Sequence, residues 1–340
     1  MLSLTHKTSL ALVFIASTLV LNALLSMTSY AEKTGVNHKG NLVGPVLEDL
    51  WESVTYNNVT VDGIDVFYRE AGPVNAPVVL LLHGYPSSSH MFRDLIPLLA
   101  RDYRVIAPDM VGFGSSEAPL RTEFDYTFEA LAKTTDAFTE ILGLDQFAIY
   151  VFDYGAPIGF RLATEHPDRI TAIISQNGNV YTEGLTAGWK PIQTYWAAPT
   201  KDNREALRRF QTLTTTKWQY TKGAPKDRLT RIGPDGPAHD VGNFTRPEGS
   251  DIQLDLFLDY QTNVELYPEW QGYLRAHQPP LLVVWAENDP FFGPEGAHAF
   301  TRDVPDAEVH LLDAGHFALE THATEIAALM QDFLNRHVSK

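Results

Sequence analysis

Three residues able to do acid, base or nucleophilic work stand just after apolar runs. Asp153 ends Phe147-Ala148-Ile149-Tyr150-Val151-Phe152, Asp289 follows Val283-Val284-Trp285-Ala286-Glu287-Asn288, and His316 follows Leu311-Leu312-Asp313-Ala314-Gly315. A carboxylate that closes a buried strand and precedes Tyr154-Gly155-Ala156-Pro157-Ile158-Gly159 has the layout of a strand-to-helix elbow presenting a nucleophile. Gly155 lets that turn be sharp and lets the helix pack close to the strand. Val151 stands two places before, so the G-x-S-x-G form is half matched. Each residue also has a plainer reading: Asp153 as a helix cap, Asp289 as a turn former, His316 as a helix N-terminal residue. Together, in the order nucleophile, acid, base, they describe a hydrolytic triad. Asp153 as nucleophile selects the chemistry. A carboxylate attacking an alkyl carbon leaves an ester that a His-activated water can hydrolyse, whereas a serine would leave an ether.

The elements that must position these groups follow from the spacing of apolar residues. Thr55–Thr60 and Ile64–Tyr68 flank Asp62-Gly63, a hairpin signal. Ala76–Leu82 is a continuous apolar run, as a strand covered on both faces should be, and it ends in His83-Gly84-Tyr85-Pro86. Met91–Leu99 has helical spacing, Arg104–Ala107 reads as a strand, and Phe128–Leu142 reads as a long amphipathic helix. Ile158–His166 (helix) and Ile170–Ser175 (strand) complete an alternation that predicts a parallel sheet with helices on both faces. The alternation runs from residue 76 to 175, stops over Asn177–His277 and resumes at Pro280. It continues with a strand at Pro280–Trp285, a helix at Pro294–Arg302, a strand at Glu308–Leu312 and a helix at Ala323–His337. The intervening stretch, with short amphipathic pieces such as Arg204–Leu213, reads as an inserted helical cap. The expected organisation is a core of residues 55–179 and 276–340 with a cap of residues 180–275. In an open parallel sheet the crevice lies at the carboxyl ends of the strands, where Asp153, Asp289 and His316 arrive.

Composition narrows the classes. The net charge of −16 argues against nucleic-acid partners and anionic membrane surfaces. The chain has no cysteine, which excludes disulfides, thiolate catalysis and a lipidated cysteine anchor. Lys7, the apolar run Ser9–Leu25 and Ser29-Tyr30-Ala31 resemble a secretory signal with a small-x-small cleavage site. Residues 1–31 are therefore expected to be a signal peptide, with residues 32–54 a linker. The mature protein is expected in the periplasm or secreted, without stable membrane association.

His83-Gly84-Tyr85-Pro86, Pro108-Asp109 with Gly112-x-Gly114-Ser115-Ser116, Asp153-Tyr154-Gly155, Trp285-x-x-x-Asp289-Pro290 and Gly315-His316-Phe317 resemble the α/β-hydrolase superfamily across nearly all of residues 55 to 338. The aspartate at the elbow resembles its epoxide hydrolase and haloalkane dehalogenase branch. The resemblance implies the α/β-hydrolase fold and a small apolar substrate, with neither cofactor nor metal. It makes Asp153 the nucleophile, His316 the base and Asp289, rather than Glu287, the acid. The N–H groups of Tyr85 and Tyr154 become an oxyanion hole. These relatives commonly have His before the nucleophile, where this chain has Phe152. Dehalogenases commonly place Trp directly after the nucleophile, and many place Asn after His-Gly; here both positions hold tyrosine. Epoxide hydrolases use two cap tyrosines as proton donors. Tyr260-Gln261-Thr262-Asn263 resembles the neighbourhood of the second, and Tyr195 is the candidate for the first. Trp189 and Trp196 could instead hold a halide. The Arg pair that haloacetate dehalogenases carry is replaced by Tyr154 and Pro157. Epoxide opening is thus the expected activity and haloalkane dehalogenation the alternative, with an idle binding protein the reading from outside enzymes.

Overall fold

The computed structural model describes residues 54–338. The expected signal segment and all but the last residue of the linker lie outside them.

The strands are β1 (Thr55–Val61), β2 (Ile64–Ala71), β3 (Val78–Leu82), β4 (Arg104–Pro108), β5 (Phe147–Phe152), β6 (Ile170–Gln176), β7 (Leu281–Ala286) and β8 (Glu308–Leu312). They form one sheet in the order β1-β2-β4-β3-β5-β6-β7-β8. β1 and β2 form the expected hairpin, with positive φ at both Asp62 and Gly63, which suits the right-handed twist of the strands. β2 meets β4 antiparallel, and every later pairing is parallel.

Helices cover both faces, so β5 and β7 are buried at all six of their positions. On one face Leu80, Leu82, Ile149, Val151 and Val283 pack with α2 (Phe128–Ile141), α3 (Gly155–Glu165) and α9 (Pro294–Asp303). On the other, Val79, Leu81, Tyr150, Phe152 and Val284 pack with α1 (Ile96–Leu99) and α10 (Leu319–His337). The period-two alternation along each strand divides the core between the two layers. Thr127 caps α2 by accepting from Ala130 N–H.

Two stretches differ from expectation. Met91–Leu99 is not one helix but a 3₁₀ turn at Ser89–Phe92 followed by the single turn α1. Pro97 has no N–H for the carbonyl of Arg93, and its ring would crowd that carbonyl. Between β6 and β7 the chain forms α4 (Lys190–Ala197), α5 (Lys201–Ala206), α6 (Leu213–Thr221), α7 (Asp235–Thr245) and α8 (Gly249–His277). The 29-residue α8 was not visible as a unit in the sequence. It touches α2, α3, α4, α7 and α9, so its apolar residues point several ways and leave no single stripe. Arg161 on α3 donates to the Asn263 side chain at 2.7 Å, which ties α8 to the sheet layer.

Candidate active site

Asp153, Asp289 and His316 meet at the carboxyl ends of β5, β7 and β8. Asp153 has φ +48°, a left-handed conformation that a non-glycine residue holds only when its surroundings enforce it. The elbow needs a residue without a side chain next to it: a Cβ on Gly155 would lie 2.2 Å from the carbonyl oxygen of Leu82. One carboxylate oxygen, Oδ1, accepts from Tyr154 N–H at 2.6 Å and from Tyr85 N–H at 2.7 Å. The other, Oδ2, lies 3.9 Å from His316 Nε2, too far for a hydrogen bond and free to attack. His316 Nδ1 is 2.8 Å from Asp289 Oδ2, so with the proton on Nδ1 the Nε2 lone pair faces Asp153. Asp289 Oδ1 in turn accepts from Phe291 N–H at 2.7 Å and Phe292 N–H at 3.2 Å. Glu287 is exposed and takes no part.

The loop after β3 brings Tyr85 N–H to the nucleophile. A Cβ on Gly84 would lie 2.3 Å from Asp153 Cβ, so only glycine permits this approach. His83 Nε2 accepts from Met110 N–H at 3.0 Å, which gives its side chain a structural task. Asp109 accepts from Ser89 and Ser115 N–H, and Asn243 Nδ2 donates to the Pro86 carbonyl at 2.8 Å. Phe152 packs its ring 4.7 Å from that of His316.

Electrostatics follow from burial. Burial pushes the Asp153 carboxyl up to about 6, against the pull of His316 and the two N–H bonds. Burial lowers the His316 imidazole, but the adjacent Asp289, its hydrogen bond and Asp153 outweigh that and leave it raised. Burial holds the phenols of Tyr85 and Tyr154 well above 10, with Asp153 adding to both. The site opens into a small, mostly apolar cavity. Its wall combines Tyr85, Asp153, Tyr154 and His316 with aromatic and aliphatic side chains and a single amide, Gln219.

A model of the α/β-hydrolase fold family matches residues 77–323. The chain belongs to the α/β-hydrolase family. This α/β-hydrolase is 43% identical over 270 residues to an uncharacterized hydrolase of Saccharomyces cerevisiae, covering 78% of this chain and 92% of that one. It is 39% identical over 283 residues to a haloalkane dehalogenase of Mycolicibacterium paratuberculosis, covering 76% and 84%. Its fold is similar to the crystal structure of epoxide hydrolase VrEH1 from Vigna radiata, with a TM-score of 0.65, 25% identity and 84% and 99% coverage.

The hydrolase brings some expected residues together and keeps others away. Tyr195 and Tyr260 are buried but do not line the cavity. The Tyr195 hydroxyl accepts from Arg204 at 3.2 Å. Tyr260 sits one layer back, its ring 5.8 Å from Tyr154 and 4.5 Å from Trp189. Burial, then Tyr267, then Asp153 hold its phenol protonated. Trp189 lines the cavity, but its indole N–H donates to the Phe291 carbonyl at 3.0 Å. Trp196 does not line it, and its N–H donates to the Phe257 carbonyl at 2.7 Å. Both indole donors expected for a halide are therefore occupied. The phenols on the wall come from Tyr85 and Tyr154, whose backbones alone had been given a task. Gln219 was missed altogether, because Trp218-Gln219-Tyr220 carries no signal in a single sequence.

Proposed function

We propose that this α/β-hydrolase opens an epoxide to a vicinal diol through an ester on Asp153. One observation carries the reading: a buried carboxylate, not a hydroxyl, has one oxygen fixed by two N–H groups and the other exposed to an apolar cavity. Asp153 Oδ2 attacks a ring carbon, the C–O bond of that carbon breaks, and the departing oxygen takes a proton from a wall phenol, Tyr85 or Tyr154. Ester formation removes the Asp153 charge that helped to raise His316, so more of the imidazole stands in the neutral form that can accept a proton from water. Water then attacks the acyl carbon while His316 takes its proton. The oxyanion forms on Oδ1, between donors already in place, each worth about 10²- to 10³-fold in comparable sites. Collapse expels the second diol oxygen, which takes the proton held by His316, and the proton left on the new Asp153 oxygen returns to the phenolate. Dehalogenation is supported by the named relative of Mycolicibacterium paratuberculosis. Against it stand the occupied indoles and the presence of wall phenols, which a departing halide does not need.

The test uses His316→Gln, which should stop after the first step. The variant is incubated separately with styrene oxide and 1-bromohexane, and its intact mass is measured. A stoichiometric adduct equal to the whole epoxide, formed faster than the hexyl adduct, is the expected result. Capture of the bromoalkane alone would replace the epoxide reading with dehalogenation, and capture of neither would leave a binding protein.

A further inference from the structure

The cavity holds one polar group that the mechanism has not used. Gln219 on α6 is 1% exposed, and neither its Nε2 nor its Oε1 has a hydrogen-bond partner in the protein. Of the other polar groups on the wall, the Trp189 N–H is committed to Phe291, the Tyr85 hydroxyl to the Phe210 carbonyl at 3.2 Å and Asp153 Oδ1 to two backbone donors, while the Tyr154 hydroxyl has no partner and is the phenol left to supply the proton. A buried primary amide with both ends unmet is unfavourable and calls for an explanation by function.

Its placement is over-determined. Trp218, before it, packs edge-on to Phe291 at 6.0 Å. Tyr220, after it, stacks on Phe317 at 3.9 Å and bonds Asp240 at 2.6 Å. Phe291 and Phe317 flank the His316 ring, at 5.2 and 5.1 Å. The backbone beyond α6 lies against the loops that carry the acid and base. A Cβ on Gly223 would be 2.3 Å from the Asn288 carbonyl oxygen, and one on Gly315 would be 2.1 Å from that of Lys222. The amide is thus held in register with the base and opens on the same cavity as the nucleophile.

We propose that Gln219 binds the oxygen of the substrate, which makes it the residue that selects an oxygen electrophile over a halide; this rests on the epoxide reading above. Nε2–H donates to the epoxide oxygen while Asp153 attacks. After ring opening the new hydroxyl can accept from Nε2 or donate to Oε1. The epoxide oxygen also only accepts until the ring opens, but a departing halide never gains the proton that would let it donate to Oε1. The amide gives a hydrogen bond and no proton; the proton comes from the wall phenol.

The experiment places Gln219→Met, similar in volume, in the His316→Gln protein and measures single-turnover alkylation by styrene oxide and 1-bromohexane. Alkylation by the epoxide should fall about tenfold or more, the worth of a hydrogen bond to developing charge, while that by the bromoalkane stays within about twofold. The melting temperature should stay at or above that of the parent, because the amide has no partner to lose. Gln219→Leu should behave alike. Equal losses with both electrophiles, an unchanged epoxide rate, or a melting temperature below the parent in both variants would each overturn the assignment. An effect confined to ester hydrolysis in the His316-containing protein would overturn it too, since the amide would then hold water. If the parent captures no epoxide, the functional reading falls and this inference with it. If the parent captures epoxide and Gln219→Met does so equally fast, only the inference falls.

Discussion

In the His316→Gln protein the rate of alkylation should rise with pH through about 6 rather than about 4. Only the ionised carboxylate attacks, and burial has moved the Asp153 carboxyl from 3.8 up to about 6. Removing His316 takes away a group that lowers this value, so the inflection falls at about 6 or above. A group with a pKa of about 6 is about 9% ionised at pH 5 and about 91% at pH 7, a rise of about tenfold. An unperturbed aspartate would be more than about 90% ionised at both, and its rate would change by less than about 10%. The wall phenols, held well above 10, stay protonated throughout and contribute no slope. The assay is rapid-quench alkylation by styrene oxide at saturating concentration, read by intact mass, from pH 4.5 to 8. A rate flat between pH 5 and 7 would refute the desolvation of Asp153 by burial.

The same shift has a consequence for stability. The folded state binds the Asp153 proton more tightly than the unfolded chain, so this stabilisation is fully present below about 4 and is lost as pH rises through about 6. The melting temperature of Asp153→Asn relative to wild type should therefore be more favourable at pH 8 than at pH 4, with up to about 3 kcal/mol separating the two pH values; calorimetry showing no difference would contradict it. Tyr85→Phe and Tyr154→Phe should be compared for epoxide and bromoalkane capture: at least one should slow the epoxide selectively, whereas Tyr260→Phe and Tyr195→Phe should alter both reactions alike. Gly155→Ala should destabilise by about 1–3 kcal/mol in chemical denaturation, because the new Cβ would lie 2.2 Å from the Leu82 carbonyl oxygen, which is backbone and cannot simply swing aside. Protein isolated from its native host should begin near Glu32, and terminal sequencing that finds Met1 would remove the export proposal.

The meeting of Asp153, Asp289 and His316 was legible in the sequence because each closely follows a strand, β5 and β7 being wholly apolar runs and β8 a weaker one, and parallel topology sends all such ends to one edge. The hairpin was legible because Asp62-Gly63 satisfies a local backbone demand. The donors around the leaving group were not legible. Tyr195, Tyr260, Trp189 and Trp196 have the right chemistry, but whether a phenol or indole faces a cavity depends on how α4 and α8 roll against the core. That rotation is set by long-range packing, such as Arg161 with Asn263 and Trp196 with Tyr260. For the same reason the continuous α8 was hidden by burial on several sides. Gln219 lacked any signal, since its meaning comes from the absence of a partner in three dimensions.

The pair of N–H groups that grips Asp153 Oδ1 gives the two carboxylate oxygens separate histories. Oδ2 leaves with each diol, and the oxygen of the consumed water takes its place, while Oδ1 stays behind. A molecule of enzyme moved into heavy-oxygen water would thus release a first diol free of label. Every later diol would carry an oxygen acquired one cycle earlier, at full enrichment. A carboxylate able to spin between turnovers would mix its two oxygens and spread the label over several cycles. The lag between solvent and product is a clock for the rigidity of that grip, and it runs in the unmodified protein without any substitution.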